Sequence, residues 1–401
     1  MIPVNEAIRI VLQHTSKLEV EPVALGDTGG RILAEDIIAD TDLPPFDRAQ
    51  MDGYAVHAAD VANTPARLRI VGESAAGDGW HQEMKGGEAV RIMTGAPVPA
   101  GADAVQQVEL TRETDGGEFV EILQRVEAGR SIVRQAAEIK AGATVLHAGE
   151  DINAAMIATL ASFGYANVKV GGRPRVAIMA TGSELVKVDE KPGADQIRDS
   201  NNHSLAAYAQ LSGATVELLP LAGDDTRELK EQIAAAAGRS DVLITSGGVS
   251  MGVYDFTKTA LKELGAEIFF ERVALRPGKP TVFARLGDTL IFGLPGNPVS
   301  VAVTFNLFAR TALRAMQGAR QALPAESTAV LARNLRGSAD RESYLPAVLL
   351  TDEQGTLLAE PLKWGGSSDF VAFARATALI VVPAGKSLEP RTPVTVVRLP
   401  T

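Results

Sequence analysis

Apolar runs alternate with amphipathic segments between Arg175 and Gly318, and this alternation predicts the central fold of the chain. Short apolar runs predict buried strands at Arg175–Ala180, Thr215–Leu221, Asp241–Thr245, Ile268–Val273, Thr281–Arg285 and Thr289–Phe292. Helical spacing predicts helices at Asn202–Leu211, Thr226–Ala237, Phe256–Leu264 and Pro298–Met316. Because strands and helices follow each other in turn, we expect a doubly wound, mostly parallel sheet.

The regions on either side of this segment have a different pattern. The stretch Leu43–Asp52 contains two prolines and mixed polar residues, which predicts an extended loop. From Tyr54 to about Leu146, polar and apolar residues alternate with frequent turns, which predicts a β-rich domain. After Leu323 the helical period fades, and the remaining short runs predict a small β-barrel or sandwich.

Two further helices are predicted outside the central segment. The first residues have helical spacing and predict a short helix with Asn5 as its cap. The second predicted helix covers Asp151–Phe163, with Gly164 as its C-terminal cap. The chain is therefore expected to be a multidomain α/β protein.

Composition narrows the functional classes. The chain has 401 residues and no cysteine, which excludes disulfide scaffolds, thiolate zinc sites, iron–sulfur ligation and cysteine nucleophiles. Its length suggests about two to four domains. A net charge of −10 and an aromatic content of 5% disfavour binding of nucleic acid. The sequence also lacks a signal-peptide pattern and a long apolar span, so we expect a cytoplasmic protein that binds no membrane.

Unusual loops follow the carboxyl ends of the predicted strands, where open α/β sheets bind ligands. These loops are Thr181-Gly182-Ser183-Glu184, Gly223-Asp224-Asp225, Ser246-Gly247-Gly248-Val249-Ser250 and Leu294-Pro295-Gly296-Asn297-Pro298. Adjacent glycines leave backbone N–H groups free to surround an anion, although a tight turn with positive φ explains them equally well. No Walker A loop or dinucleotide fingerprint is present.

Charged residues near these loops suggest a phosphate-bearing ligand and a divalent cation. Glu184, Asp224, Asp225 and Asp255 would bind Mg²⁺ if the fold brought them together, whereas single aspartates at these places can also cap helices. Arg276-Pro277-Gly278-Lys279-Pro280 concentrates two cations in a rigid turn, which is suited to phosphate or to an exposed loop. The five histidines have no metal-binding spacing, and no Ser-His-Asp triad is indicated.

Several motifs in one order cover most of the chain. They are Phe46-Asp47, Met51-Asp52-Gly53-Tyr54-Ala55-Val56, Arg91-Ile92-Met93-Thr94-Gly95-Ala96-Pro97-Val98-Pro99, Ala180-Thr181-Gly182-Ser183-Glu184-Leu185, Ile197-Arg198-Asp199-Ser200-Asn201, Ser246-Gly247-Gly248-Val249-Ser250, Pro277-Gly278-Lys279-Pro280 and Gly293-Leu294-Pro295-Gly296-Asn297-Pro298-Val299-Ser300. Through these motifs the chain resembles the molybdopterin molybdenumtransferase family. Two departures are Glu138, where the family usually has aspartate, and Arg276, where lysine is common. Arg341 and Ser367 match family ligand positions loosely.

The resemblance implies an elongated homodimer with four domains in each chain. These are a linker domain of helices and strands at residues 1–45 plus 140–172, a β-rich lid domain at 46–139, an α/β molybdopterin-binding domain at 173–322 and a C-terminal β-barrel at 323–401. It places the site between the sheet domain of one subunit and the lid domain of the other. The upstream adenylyltransferase and the recipient molybdoenzymes are further implied partners.

The resemblance also implies an activity: molybdenum from molybdate is inserted into adenylylated molybdopterin, and AMP is released in the presence of Mg²⁺. The catalytic residues that it implies are Asp52, Thr94, Glu184, Asp224, Asp225 and Asp255, of which Glu184, Asp224 and Asp225 would hold the metal. The implied substrate-binding residues are Asp199, Asn201, Ser246, Gly247, Gly248, Ser250, Arg276, Lys279, Pro295, Asn297 and Pro298. Turn formation alone explains Asp52 and Thr94 equally well. The alternatives are a gephyrin-like binding scaffold without catalysis, or the preceding enzyme, molybdopterin adenylyltransferase.

Overall fold

A computed structural model describes residues 1–222, 226–248 and 256–400, and the chain forms two compact units. One unit comprises Met1–Glu35, Ala148–Ile157 and Asn167–Thr401. The other comprises Asp36–His147 and Ala158–Ala166. The division into four domains remains a prediction.

The helices of the described residues are α1 Val4–Gln13, α2 Ala154–Ser162, α3 Asn201–Leu211, α4 Thr226–Ala237, α5 Phe256–Glu263, α6 Pro298–Thr304, α7 Arg310–Met316 and α8 Phe370–Phe373. The strands of the first part are β1 Val20–Ala24, β2 Ile37–Ile38, β3 Arg48–Ala49, β4 Gly53–Val56, β5 Ala66–Ser74, β6 Glu88–Ile92, β7 Ala104–Gln107, β8 Thr111–Thr114, β9 Phe119–Ile122, β10 Ile132–Val133, β11 Thr144–Leu146 and β12 Asn167–Gly171. They continue with β13 Arg175–Ala180, β14 Leu185–Val186, β15 Ile197–Arg198, β16 Thr215–Leu218, β17 Val242–Ser246, β18 Glu267–Arg272, β19 Leu275–Arg276, β20 Pro280–Leu286 and β21 Thr289–Leu294. The last strands are β22 Glu326–Leu331, β23 Leu335–Arg336, β24 Glu342–Thr351, β25 Leu357–Pro361, β26 Ala378–Val382, β27 Ser387–Leu388 and β28 Pro393–Arg398.

The central sheet has the strand order β16-β13-β17-β21-β20-β18. The first four strands pair in parallel, while β20 and β18 join antiparallel. Side chains of β13 alternate between two cores: Val176 and Ile178 face the core that contains α3 and α6, while Ala177 and Met179 face the core that contains α4 and α5. Helices therefore cover both faces, which confirms the expected doubly wound, mostly parallel sheet.

The C-terminal region is a closed β-barrel. Its strands pair in the order β24-β25-β22-β28-β26, and β26 pairs again with β24 to close the ring. Small side chains such as Ala347, Ala359 and Ala378 fill its buried interior with larger aliphatic residues. The barrel form that the sequence predicted is thus confirmed.

The second compact unit is built around a six-stranded sheet of order β7-β4-β6-β5-β9-β8, as the alternating pattern predicted. Residues of the Leu43–Asp52 loop pair with later segments: β3 is antiparallel to β10, and the amide of Leu43 donates to the carbonyl of Ile139 at 2.8 Å. The loop is therefore fastened along its length by backbone hydrogen bonds.

Three local predictions need correction. Helix α1 begins at Val4 with Pro3 at the N-cap, so Asn5 is not its cap, because proline sets the backbone angle of the entering residue. Strand β16 ends at Leu218, three residues earlier than predicted. The predicted helix over Pro298–Met316 contains a π-helical segment at Phe305–Ala309, a wider turn that a pattern of apolar spacing does not reveal. No helix in the described part of the chain is long and apolar enough to cross a membrane.

Candidate ligand site at the carboxyl edge of the sheet

Backbone hydrogen bonds bring three of the predicted loops together at the carboxyl edge of the sheet. The amide of Thr181 donates to the carbonyl of Ser246 at 2.9 Å. The amide of Gly247 donates to the carbonyl of Leu294 at 3.1 Å. Because β13, β17 and β21 are parallel neighbours, their carboxyl ends meet at one edge of the sheet. The convergence that the sequence predicted for these loops is therefore present.

Glycine is required in the loop after β17. Gly247 and Gly248 have φ of +94° and +65°, in the left-handed region. A Cβ atom on Gly247 would lie 2.5 Å from the carbonyl oxygen of Thr181, and one on Gly248 would lie 2.5 Å from the Oγ1 of Thr257. The tight turn thus accounts for both glycines, and the same bend leaves a surface without side chains at the sheet edge.

Asn201 connects two of these loops. Its Nδ2 donates to the Oγ of Ser246 at 2.8 Å and to the carbonyl oxygen of Gly296 at 2.7 Å. Its Oδ1 is buried and has no hydrogen-bond partner among the described residues. The side chain of Asn201 therefore ties the two loops together.

Asp199 is buried, with 4% of its surface exposed, and its Oδ1 accepts a hydrogen bond from the amide of Asn202 at 3.1 Å. This contact satisfies an amide in the first turn of α3. Asp199 thus orients the helix that carries Asn201.

The described residues hold only part of the predicted cation site. Glu184 is exposed and its carboxylate lies against Gly182, beside the carboxyl end of β13. Asp224, Asp225, Asp255 and Ser250 lie outside the described residues. Among the described residues, no group of three or more histidine, aspartate or glutamate side chains is placed to hold a metal ion.

A cavity of about 590 Å³ adjoins the same edge and is lined by four cationic side chains. These are Arg276, Lys279, Arg336 and Arg341. Aspartate and glutamate are absent from the described residues that line it, although Arg341 pairs with Asp340 at 3.3 Å outside the lining. In a chain of net charge −10, this concentration of positive charge is suited to an anionic ligand.

Two sheets meet at this cavity. Strand β19 pairs in parallel with β24 of the barrel, with Arg276 beside Ser343, whereas β20, which starts at Pro280, belongs to the central sheet. The residues between them, Pro277–Lys279, therefore pass from one sheet to the other. Lys279 lies at the carboxyl edge, because β20 runs antiparallel to β21 and starts where β21 ends.

Contacts from the barrel complete the wall of the cavity. The Nδ2 of Asn297 donates to the Oγ of Ser367 at 2.8 Å, and the amide of Val299 donates to the carbonyl of Ser367 at 3.0 Å. The Nη1 of Arg341 donates to the carbonyl of Leu275 at 3.3 Å. Pro295, Asn297 and Ser367 all line the cavity, whereas Pro298 is the first residue of α6.

Sequence reasoning found only part of this lining. Arg276, Lys279, Pro295 and Asn297 were predicted, but Arg336 was not. No local signal marks Arg336, since it lies in β23, about 60 residues along the chain from the cationic turn, and becomes a neighbour of that turn only through tertiary packing.

In the second compact unit, Asp52 and Thr94 form one hydrogen-bonded pair. The Oδ1 of Asp52 accepts from the amide of Thr94 at 2.7 Å and from its Oγ1 at 2.8 Å. These bonds lower the pKa of the Asp52 carboxyl below its usual value, and the bond from the amide has the larger effect. In the same unit Glu138 pairs with Arg48 at 3.2 Å. The structure thus brings together the two residues predicted for this unit.

Fold and site define a multidomain α/β protein with a cationic cavity at the carboxyl edge of its sheet. Three sequence families match the chain: "MoeA N-terminal region (domain I and II)" over residues 2–164, "Probable molybdopterin binding domain" over residues 177–315 and "MoeA C-terminal region (domain IV)" over residues 328–399. Together they follow the order of the elements described above.

Full-length relatives agree with these matches. The chain is 38% identical over 392 residues to a molybdopterin molybdenumtransferase of Bacillus subtilis (strain 168), covering 96% of this chain and 90% of the relative. It is 34% identical over 388 residues to the protein of the same name from Staphylococcus aureus (strain COL), covering 96% and 92%. The crystal structure of the molybdopterin biosynthesis moeA protein from Pyrococcus horikoshii OT3 superposes with a TM-score of 0.86, at 27% identity and 100% coverage of both chains. The chain belongs to the molybdopterin molybdenumtransferase family, as its motifs predicted.

Proposed function

We propose that this protein, as a transferase of molybdenum cofactor biosynthesis, inserts molybdenum from molybdate into adenylylated molybdopterin and releases AMP. The observation that carries this proposal is the cavity lined by four cations at the carboxyl edge of the sheet, in a chain whose family members are named for this transfer. Both molybdate and the phosphate groups of the pterin substrate are anions, and they are the kind of ligand that this lining attracts.

The chain acts mainly by holding its substrates. Arg276, Lys279 and Arg341 neutralise anionic groups in the cavity, and the bend at Gly247 and Gly248 lets a ligand approach the backbone closely. Rate enhancement then comes from the fixed proximity of molybdate to the dithiolene sulfurs, and no protein nucleophile is required.

We further propose that Mg²⁺ takes part and that Glu184, together with Asp224 and Asp225, holds it. When bound, the cation supplies positive charge that offsets the phosphate groups. Glu184 is the one described member of this set, and its exposed carboxylate at the end of β13 is suited to a cation that also binds a phosphate ligand. Alanine at each of these positions is expected to lower Mg²⁺-dependent AMP release; unchanged release would remove the assignment.

The proposal includes a homodimer in the cytoplasm, in which Asp52 and Thr94 contribute as lid residues. The lid contribution is supported by the hydrogen-bonded pairing of these two side chains near exposed Met51 and Met93. The upstream adenylyltransferase and the recipient molybdoenzymes are the proposed protein partners. Sedimentation of the purified chain tests the dimer, and loss of AMP release in Asp52→Ala tests the lid contribution.

One experiment separates the proposal from its alternatives. The protein is incubated with adenylylated molybdopterin, Mg²⁺ and molybdate, and both AMP and metal-loaded pterin are measured. AMP release together with metal insertion supports the molybdenumtransferase. Binding without AMP release would indicate the gephyrin-like scaffold instead, and consumption of ATP with unadenylylated molybdopterin would indicate the adenylyltransferase.

A further inference from the structure

The turn that carries two of the cavity's cations packs against a helix with no room for a side chain between them. Gly278, between Arg276 and Lys279, has φ of +117°, which favours glycine. A Cβ atom there would lie 2.5 Å from the Cγ2 of Thr304 and 3.0 Å from the Cδ2 of Leu275. The methyl group of Thr304 is therefore in van der Waals contact with the backbone of the turn.

The direction of that methyl group is fixed by the helix. Thr304 is fully buried at the last position of α6, and its Oγ1 donates to the carbonyl of Ser300 at 2.7 Å. A threonine whose hydroxyl bonds to the preceding helical turn has a fixed χ1, so its methyl group has a single orientation. Ser300 itself lines the cavity, so the contact lies one helical turn behind the cavity wall.

The turn is also held at both ends. The Oγ1 of buried Thr281 donates to the carbonyl of Gly278 at 2.7 Å, and the amide of Val273 donates to the carbonyl of Lys279 at 3.0 Å. On the other side, Arg276 is paired with a strand of the barrel. These contacts leave the short turn little freedom to bend internally, so a change in the depth at which Gly278 packs shifts the turn as a unit, together with the side chains of Arg276 and Lys279.

We propose that Thr304 is a positioning residue of the anion-binding cavity, whose methyl group sets the depth of Gly278 and with it the positions of Arg276 and Lys279. This inference rests on the proposed function in one respect, namely that the cavity binds anions. Thr304 touches no ligand, and its effect passes through the glycine backbone. Removing its methyl group removes no charge from the cavity and changes only the positions of two of the charges.

The test measures binding of molybdate, and separately of inorganic phosphate, to the full chain by calorimetry. Thr304→Ser removes the methyl group and keeps the hydroxyl, and it is expected to weaken binding about threefold to tenfold. The matched control is Thr311→Ser. Thr311, in the following helix α7, is equally buried, and its Oγ1 donates to the carbonyl of Leu307 at 2.8 Å. The control is expected to bind within about twofold of the unmodified chain.

A second comparison has a readout that a purely structural role would not move. Gly278→Ala alone is expected to weaken binding strongly, and the added Thr304→Ser should recover part of the loss because it makes space for the new Cβ atom. Lys279→Met separates the two possible failures. If Lys279→Met weakens binding but Thr304→Ser does not, the positioning role is wrong. If Lys279→Met also has no effect, the anion-binding role of the cavity is wrong and the inference falls with it.

Discussion

Replacing Lys279 by methionine removes one of the four positive charges of the cavity while keeping an unbranched side chain of similar length. No aspartate or glutamate of the described residues forms an ion pair with Lys279, so its removal leaves no carboxylate unpaired. The backbone of the turn is held by bonds to Gly278 and from Val273, which the substitution does not alter. The change therefore acts on the charge alone.

The size of the effect follows from the placement of the charges. Two unit charges about 4 Å apart attract each other by about 4 kcal/mol at an effective dielectric constant of about 20. Exchange with water reduces the net contribution of a charge-assisted contact to about 1.5–3 kcal/mol. Since about 1.4 kcal/mol corresponds to a factor of ten, the dissociation constant should rise about 10- to 150-fold.

Calorimetric titration with molybdate at neutral pH measures this change. The matched control is Lys262→Met. Lys262 is 60% exposed and does not line the cavity, and its Nζ lies 3.6 Å from the Oε1 of Glu271. The control should change affinity by less than about twofold. The salt dependence of binding should also be weaker in Lys279→Met than in the unmodified chain, because one charge fewer is screened. Equal affinities for Lys279→Met and the unmodified chain would refute the assignment of the cavity to anions.

Three further outcomes are expected. Gly247→Ala should cost about 1–2 kcal/mol for its left-handed backbone and about 1–3 kcal/mol more for crowding a carbonyl oxygen, whereas Gly287→Ala, with φ of +60° and open space, should cost only the first amount. Equal shifts in thermal unfolding would contradict the close approach. Thr94→Val removes the hydroxyl donor and should raise the pKa of Asp52, which lies below its ordinary 3.8. In the unmodified chain, ionised Asp52 stabilises the folded state; this contribution is complete above pH 3.8 and is lost as the pH falls through the lowered pKa. An unchanged pKa in a carbon-13 NMR titration would disprove this link. Asn201→Asp removes the donor to the carbonyl of Gly296 and should cost about 1–3 kcal/mol, visible as faster amide exchange in the linked loops; unaltered exchange would count against it.

The spacing of apolar residues identified those helices and strands whose own sequence marks which positions are buried. Strand Arg175–Ala180 and helix Thr226–Ala237 have the predicted bounds, because a buried strand and an amphipathic helix each carry their own apolar pattern. The predicted cap at Asn5 was wrong because the helix begins one residue earlier, at Val4, with Pro3 at the N-cap. The π-helical turn at Phe305–Ala309 was missed because every residue there is buried, so no polar face marks the change of register.

Contiguous motifs were enough to establish the α/β order, the glycine turns, the Arg276 and Lys279 pair and the family. The cavity, in contrast, comes from the packing of distant segments. Arg341 directly precedes β24, which pairs with β19, and Arg336 reaches the cavity from β23, which pairs with β27. The support that the methyl group of Thr304 gives to the cationic turn likewise depends on how a helix packs against a loop. Local patterns record which residues are apolar or charged, whereas the distance between two distant segments is set by packing that no local pattern contains.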